Sequence, residues 1–290
     1  MQQCLKAAPL RWNSPHGRLL PAGGGAPILM GVLNVSRDSF SDGGKYLDIE
    51  AAKAQFAKMI SEGAEIVDIG AESTRPDARP LSADEELELL LPRLSALRKE
   101  FPDAPISVDT YKPEVARAAV EAGADIINDV RSEEAGGSIA TAAEAARLGC
   151  PIILTHNCRG EKRSGEDFFE SLKNSLAKKA ASAEKSGVPR SRIVLDPGVG
   201  FGKSAGENFE IVSRLGGLGE LGFPVLLGVS RKSMFAQICG PDMRLRDVST
   251  AAVSAFAAAK GWAQILRVHD VAASAAAIKT VLEILKWTKS

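Results

Sequence analysis

One pattern recurs eight times along this chain: a short apolar run that ends in polar residues and is followed by a segment with helical spacing. Continuous apolar runs are typical of parallel strands whose two faces are both covered. The runs occupy residues 27–35, 65–70, 105–110, 125–130, 151–156, 193–196, 224–230 and 265–270. Eight strand–helix units in about 260 residues predict an α/β fold with a single (β/α)8 TIM barrel. A doubly wound open sheet is the structural alternative.

Capping and breaking residues predict where several helices begin and end. Ser82 and Glu85 form an S-x-x-E capping box for the helix after the second strand. Pro92 is expected to kink or divide that helix, because proline removes a hydrogen bond and clashes with the preceding turn. Asp247 is expected to cap a helix that extends to Lys260.

Residues 1–26 are rich in proline and glycine and are expected to form a short N-terminal extension that wanders or makes a hairpin, which leaves residues 27–290 as the barrel domain. The 36 basic and 36 acidic residues cancel, so charge gives no reason to expect nucleic acid or an anionic membrane as partner. No apolar run reaches the length of about 18 residues that a membrane span needs. Four cysteines without a C-x-x-C pair argue against zinc and fit a reducing, cytoplasmic location.

The stretch of residues 193–203 has the organisation of a ligand site. An apolar run ends at Asp196, and three glycines follow within six residues, where the backbone can turn tightly and a ligand can come close. Ser204 and Glu207 then form a second capping box. Alternatively, the segment is only a strand-to-helix turn whose aspartate caps the next helix.

Polar side chains follow nearly every predicted strand, although burying an unpaired charge is costly. Because barrel strands point their carboxyl ends at one face, we expect these residues to surround an active-site mouth. The residues are Asn34, Thr74 with Arg75, Asp109, Asn128, His156, Asp196, Ser230 with Lys232, and Arg267 with His269.

The chemistry of these side chains indicates the ligand. Asp109, Asn128 and Asp196 offer acceptors that suit a ring bearing N–H and amino groups. Asn34 offers a neutral oxygen that a hard cation such as Mg²⁺ can use. Four cationic or ionisable side chains suit an anion such as phosphate: Arg75, Lys232, Arg267 and His269.

Four other residues have structural interpretations. Asp68 lies in the middle of a strand and is expected to be a buried structural acid, and His156 is open to interpretation as a packed histidine. Arg231 is open to interpretation as a solvated or structural neighbour of Lys232, and His16 is expected to be an uninvolved surface residue.

Seven stretches match, in order, the motifs of one enzyme family. They are residues 30–44 (MGVLNVSRDSFSDGG), 72–76 (ESTRP), 107–110 (SVDT), 127–130 (INDV), 196–203 (DPGVGFGK), 230–232 (SRK) and 267–270 (RVHD). Through these stretches the chain resembles the dihydropteroate synthases, the folate-pathway enzymes that sulfonamides block.

The resemblance implies a pterin-binding (β/α)8 barrel, usually a homodimer, that uses Mg²⁺ as cofactor. Its partners are small-molecule substrates: the family joins 6-hydroxymethyl-7,8-dihydropterin pyrophosphate to p-aminobenzoate, which gives 7,8-dihydropteroate and pyrophosphate. The small, mostly apolar residues 251–263 and 272–277 place the expected homodimer contact on the last two helices.

The same motifs assign expected roles to single residues. The pterin is expected to contact Asp109, Asn128, Asp196 and Lys232. The p-aminobenzoate is expected to lie near Thr74, Pro76, Phe201 and Ser230. The pyrophosphate is expected to meet Thr74, Arg75, Arg267 and His269, and Asn34 is expected to help bind Mg²⁺.

The chain departs from the usual family pattern in three places near the site, one of which is the ESTRP stretch, where Ala71 and Asp77 replace common glycines. Ser36 and Arg37 stand where Thr-Pro is usual in the first loop, and Asn157 and Cys158 follow the fifth-strand histidine where Met is usual. Two other functions remain as alternatives. A pterin-binding methyltransferase domain shares the barrel and the pterin acids but does not need the cations after strands seven and eight. A non-catalytic barrel for a phosphorylated ligand predicts anion binding without turnover.

Overall fold

The computed structural model describes residues 8, 10, 12–22, 25–35, 49–73, 78–132, 134–135, 138–159 and 167–288. Eight parallel strands within this part of the chain form one sheet in which each strand lies beside its neighbour in sequence. They are β1 Ile28–Asn34, β2 Ile66–Gly70, β3 Ile106–Asp109, β4 Ile126–Asp129, β5 Ile152–Thr155, β6 Ile193–Asp196, β7 Leu226–Leu227 and β8 Ile265–Val268.

The sheet closes on itself between β6 and β7. The backbone N–H of Leu195 donates to the carbonyl of Pro224 at 2.9 Å, and Leu195 forms a parallel bridge with Val225. Because β1 also pairs with β8, the sheet has no long open edge. The predicted barrel is therefore confirmed, and the alternative of an open sheet is excluded.

Helices follow the strands and cover the outside of the barrel. Those of at least nine residues in the described part of the chain are α1 Ile49–Glu62, α2 Ala83–Glu100, α3 Pro113–Glu121, α4 Ala140–Leu148, α5 Phe168–Lys185, α6 Ala205–Arg214, α7 Met243–Lys260 and α8 Val271–Trp287. Shorter helical turns cover 190–192, 215–221, 233–235 and 236–239, and residues 134–135 pair with 138–139 as a small antiparallel ladder. No helix in the described ranges combines the length and apolarity that crossing a membrane requires.

The predicted capping box at α2 is confirmed, whereas the predicted helix cap at Asp247 is wrong. Ser82 Oγ accepts from the N–H of Glu85 at 3.1 Å, and the Glu85 carboxylate accepts from the N–H of Ser82 at 2.8 Å. Pro92 does not divide α2, which continues for 18 residues. Asp247 does not cap α7, because the helix begins one turn earlier with Asp242 as its N-cap.

The side chains of each strand alternate between the barrel interior and the helices. Near the amino ends of the strands the interior positions are apolar and form one buried cluster that contains Ile28, Met30, Ile66, Ile126, Ile153, Val194, Leu226 and Ile265. Two residues further along, the inward positions are polar: Asp68, Asn128, Thr155, Asp196 and Arg267. The alternation therefore places an apolar floor beneath a polar mouth.

Residues 1–26 were expected to wander or make a hairpin, but within their described part residues 10 and 12–20 pack against the amino end of the barrel. Leu10, Trp12 and Leu20 are buried in the same cluster as the barrel floor. Arg18 Nε lies 2.7 Å from the Asp125 carboxylate, which is fully buried at the start of β4. The segment covers the apolar floor of the barrel because burying these large apolar side chains is favourable.

Candidate active site

The loop after β6 holds a carboxylate at the barrel mouth. Asp196 is the last residue of β6, and its Oδ1 accepts a hydrogen bond from the N–H of Gly198 at 2.7 Å. Gly198 has φ +66°, and a Cβ there would lie 2.0 Å from the carbonyl oxygen of His156. Only glycine fits this turn, and the turn fixes the direction of the Asp196 side chain.

Lys203 stabilises the same loop by hydrogen bonds to backbone carbonyls. Lys203 Nζ donates to three backbone carbonyl oxygens, those of His156 at 2.9 Å, Gly198 at 2.7 Å and Phe201 at 3.2 Å. The predicted capping box is present, since Ser204 Oγ accepts from the N–H of Glu207 at 3.3 Å. Lys203 therefore stabilises the loop that carries Phe201.

A charged network crosses the barrel beside Asp196. Arg267 Nε lies 2.7 Å from Asp68 Oδ2, and Arg267 Nη2 lies 2.6 Å from Asp109 Oδ2. Asn128 Nδ2 donates to the same Asp68 oxygen at 2.9 Å. Asp109 and Asn128 are partners in the register of β3 and β4. A Cβ on Gly228 would lie 3.9 Å from both Asp196 Oδ2 and Arg267 Cβ, so Asp196 and Arg267 flank the end of β7.

Two buried acceptors in this network have no hydrogen-bond partner among the described residues. They are Asp68 Oδ1 and Asn128 Oδ1. Buried polar atoms are nearly always hydrogen-bonded in native proteins, and an unpaired one costs free energy. A ligand with N–H donors would therefore gain more binding free energy at these two atoms than at acceptors that already have hydrogen-bond partners.

Burial also changes the proton affinities of the mouth. Burial raises the pKa of Asp109 to about 8 even though Arg267 acts against it. Burial raises the pKa of Asp196, with the N–H of Gly198 and the charge of Lys232 opposing the shift. Burial, together with the positive charge of Arg267, lowers the pKa of Lys232 to about 8. Perturbed groups that gather in one concave region are typical of functional sites.

An aromatic and cationic patch borders the carboxylates. Lys232 Nζ lies 4.3 Å from the centroid of the Phe201 ring, and the guanidinium of Arg159 lies 5.1 Å from the same centroid. Ser230 Oγ accepts from the N–H of His269 at 3.1 Å and lies 2.9 Å from His269 Nδ1. The ends of β7 and β8 are thereby joined next to Phe201.

The structure brings most of the predicted site residues to one end of the barrel. Those with direct or shared contacts there are Asp109, Asn128, Asp196, Phe201, Ser230, Lys232, Arg267 and His269. Asn34 ends β1 at the same face. Thr74, Arg75 and Pro76 lie outside the described residues.

The structure also places the four residues for which the sequence allowed a structural role. Asp68 is fully buried and paired, as expected, and Arg231 is confirmed as structural because its guanidinium makes a two-point contact with Asp247 at 2.8 and 3.0 Å. His156 is buried at the end of β5. His16 is exposed at the opposite end of the barrel, where its Nε2 lies 2.9 Å from the carbonyl of Val120.

Comparison with known proteins now identifies the family. Residues 30–269 match the family described as pterin binding enzyme. The chain belongs to the pterin-binding enzyme family. A dihydropteroate synthase of Streptococcus pyogenes is 42% identical over 263 residues, which cover 90% of this chain and 97% of that protein.

Solved structures of the pterin-binding enzyme family superimpose on the barrel. Xanthomonas albilineans dihydropteroate synthase with 4-aminobenzoic acid has a TM-score of 0.85 and 38% identity, covering 96% of this chain and 98% of that one. Yersinia pestis dihydropteroate synthase in a sulfonamide drug complex has a TM-score of 0.83 and 34% identity, covering 92% of this chain and 100% of that one.

Sequence reasoning missed three contacts in this pterin-binding enzyme. It did not pair Arg267 with Asp68, which lies 199 residues earlier in the chain. It did not connect Arg267, expected at the pyrophosphate, with Asp109, expected at the pterin. It gave Lys203 no role. The sequence offered a signal only for the pair of Arg267 and Asp68, in the alternation of charged residues on β2 and β8.

Proposed function

We propose that this pterin-binding enzyme is a dihydropteroate synthase that condenses 6-hydroxymethyl-7,8-dihydropterin pyrophosphate with p-aminobenzoate to give 7,8-dihydropteroate and pyrophosphate. The observation that carries the proposal is the buried set of acceptors beside cations in one mouth. Asp109, Asn128 and Asp196 face the barrel axis, and Arg267 and Lys232 lie among them.

The acceptor set suits the pterin ring. A pterin presents N–H and amino donors along one edge, and a carboxylate meets such an N–C–N edge with two parallel hydrogen bonds. Asp196 is held by the N–H of Gly198 through one oxygen, Oδ1. The unpaired Asn128 Oδ1 is a second acceptor for the same ring.

The cations suit the leaving group. When the C–O bond to pyrophosphate breaks, the bonding pair leaves with pyrophosphate, and positive charge develops on the pterin methylene. Arg267 has N–H donors beyond the two that meet Asp68 and Asp109, and His269 follows directly after the end of β8. Fixed positive charge beside the departing anion lowers the barrier.

The second substrate requires position rather than a strong base. The nitrogen of an arylamine can attack with its own lone pair when it is held close to the methylene carbon. Phe201 offers an aromatic face, and the Ser230 hydroxyl lies at the end of β7, where it meets His269. Thr74 and Pro76 belong to this proposed subsite through their family motif, and Thr74 and Arg75 belong to the pyrophosphate subsite on the same basis.

Dependence on Mg²⁺ is part of the proposal. Asn34 supplies one neutral oxygen, and no group of three His, Cys, Asp or Glu side chains able to hold a metal occurs among the described residues. The donor set fits a Mg²⁺ held by Asn34, the substrate's phosphate oxygens and water, which is how Mg²⁺ usually binds. When bound, the ion would neutralise charge on the pyrophosphate.

A homodimer through the last two helices and a cytoplasmic location are also proposed. Large apolar side chains remain exposed on α7 and α8: Leu245 at 47%, Val248 at 65%, Phe256 at 42%, Ile284 at 56% and Trp287 at 77%. Exposed apolar patches mark association surfaces. Cys150, Cys158 and Cys239 form no disulfide within the described part of the chain, which is compatible with a reducing compartment.

Pterin binding by the Asp196→Asn variant tests the site. The amide cannot accept two parallel hydrogen bonds, so calorimetry with a dihydropterin ligand should show no measurable binding, whereas Asp103→Asn on the surface should bind normally. Near-normal pterin affinity in Asp196→Asn would refute the assignment. Binding of the pterin without use of p-aminobenzoate would instead favour a methyltransferase-type domain.

A further inference from the structure

A buried cluster of charges lies next to the mouth and has no part in the mechanism so far. Lys112 Nζ contacts a carboxylate oxygen of Glu72 and one of Glu86, each at 2.5 Å. The three side chains are only 11%, 10% and 1% exposed. A buried ammonium between two carboxylates fixes all three groups, because removing any one leaves an unbalanced charge in a dry site.

Glu72 does more than balance Lys112. The N–H of Leu81 donates to Glu72 Oε2 at 3.1 Å, and the Tyr111 hydroxyl lies 3.4 Å from the same oxygen. Glu72 and Leu81 stand on either side of residues 73–80 in the sequence. The carboxylate therefore ties the start of that segment to its end.

The same cluster joins three loops at the carboxyl ends of the strands. Glu72 follows β2, whereas Tyr111 and Lys112 follow Asp109 at the end of β3. The guanidinium of Arg131, after β4, lies 3.9 Å from the centroid of the Tyr111 ring. Glu72 and Leu81, which form the base of segment 73–80, are thereby connected to the ends of β3 and β4.

The proton affinity of Lys112 favours its charged form, whereas that of Glu86 is shifted towards the neutral form. Burial acts to lower the pKa of Lys112, but the hydrogen bonds to Glu72 and Glu86 outweigh it, and the pKa lies above its usual value. Burial raises the pKa of Glu86, and Lys112 opposes that shift.

We propose that Glu72 is a positioning residue: it holds the base of segment 73–80, through Leu81 and Lys112, at a fixed distance from the pterin acids. The inference rests on the proposed function, because Thr74, Arg75 and Pro76 in this segment are the proposed contacts for p-aminobenzoate and pyrophosphate. Glu72 touches no substrate.

Glu86 supplies the matched control. It shares Lys112 with Glu72 and is more deeply buried, yet it lies within α2 and does not bridge segment 73–80. If the cluster only stabilises the fold, Glu86→Ala should be at least as damaging as Glu72→Ala in every assay. If Glu72 positions the segment, the two variants should differ in substrate kinetics.

The first measurement is steady-state kinetics with thermal unfolding on both variants. Glu72→Ala should raise KM for p-aminobenzoate and Kd for inorganic pyrophosphate at least fivefold, with Kd for a dihydropterin within twofold of the parent. Glu86→Ala should keep both constants within twofold, even if its Tm falls further. Equal KM changes in the two variants, or none in Glu72→Ala, would overturn the inference.

The second measurement does not depend on turnover. Amide hydrogen exchange at Leu81 reports its N–H bond to Glu72 directly, and it should speed up at least tenfold in Glu72→Ala but not in Glu86→Ala. Unchanged protection of Leu81 in Glu72→Ala would refute the positioning role. Loss of Leu81 protection in Glu72→Ala, together with a parent protein that does not use p-aminobenzoate, would refute the proposed function and leave the tie itself established.

Discussion

Asp109 should make the folded protein less stable as the pH rises from 5 to 7. Its pKa is raised from 3.8 in an unfolded chain to about 8 in the folded protein, because burial disfavours its charged form. Between these values the folded protein holds a proton that the unfolded chain has released. Stability from this proton is fully present below pH 3.8 and is lost as the pH rises through about 8.

The size of the effect on stability follows from the difference between the pKa of Asp109 in the unfolded chain and in the folded protein. Over the two pH units from 5 to 7 the unfolded carboxyl is ionised and the folded one is mostly protonated, so stability should fall by about 3 kcal/mol, because each pH unit contributes on the order of 1 kcal/mol. Asp109→Asn removes the titration while keeping the shape. The free energy of unfolding of the variant should therefore rise by about 3 kcal/mol relative to that of the parent between pH 5 and pH 7.

Urea unfolding followed by circular dichroism at pH 5, 6 and 7 measures the difference. Other buried carboxyls, such as Asp196, titrate in both proteins and cancel in the comparison. Asp103→Asn, on the surface, controls for the loss of one negative charge. Parallel pH curves for the parent and Asp109→Asn would refute the reasoning, because they would mean that the pair with Arg267 keeps Asp109 ionised throughout.

Three further perturbations follow from the structure. Gly198→Ala should destabilise by about 3 kcal/mol, because its Cβ would strike the His156 carbonyl in a left-handed turn; chemical denaturation checks this, and a loss under 1 kcal/mol would contradict it. Arg18→Gln should cost about 2 kcal/mol by weakening the bond to buried Asp125, with unchanged substrate affinities in the same preparation. A sulfonamide should compete with p-aminobenzoate, and Arg37→Pro should shift Ki for the drug and KM for the substrate in the same direction, since proline restricts the first loop; normal turnover without inhibition would disprove this.

Local sequence signals predicted the strands and the ends of several helices. The apolar runs gave all eight strands to within a few residues, although the seventh, expected over 224–230, pairs over only Leu226–Leu227. The alternation of Arg267 and His269 predicted that both face one side. These features depend on neighbours in the chain, which a sequence displays directly.

Contacts between distant residues could not be predicted in the same way. Asp247 has the residue type of a helix cap, but its carboxylate pairs with Arg231 instead. Arg231 has a left-handed φ of 60°, which its residue type does not predict. Leu10, Trp12 and Leu20 lie in a segment without any periodic pattern, yet they cover the barrel floor because that floor presents apolar side chains to them. Pairing Glu72 with Lys112 requires knowing that β2 and β3 end together.

Pyrophosphate release by the unmodified protein tests the proposed function most directly. With 6-hydroxymethyl-7,8-dihydropterin pyrophosphate, Mg²⁺ and p-aminobenzoate, a coupled assay should show steady release of pyrophosphate and an equal amount of 7,8-dihydropteroate by mass spectrometry. Release should fall to the background rate when p-aminobenzoate is left out. Binding of both substrates with no pyrophosphate released would contradict the account and identify a barrel that binds without catalysis.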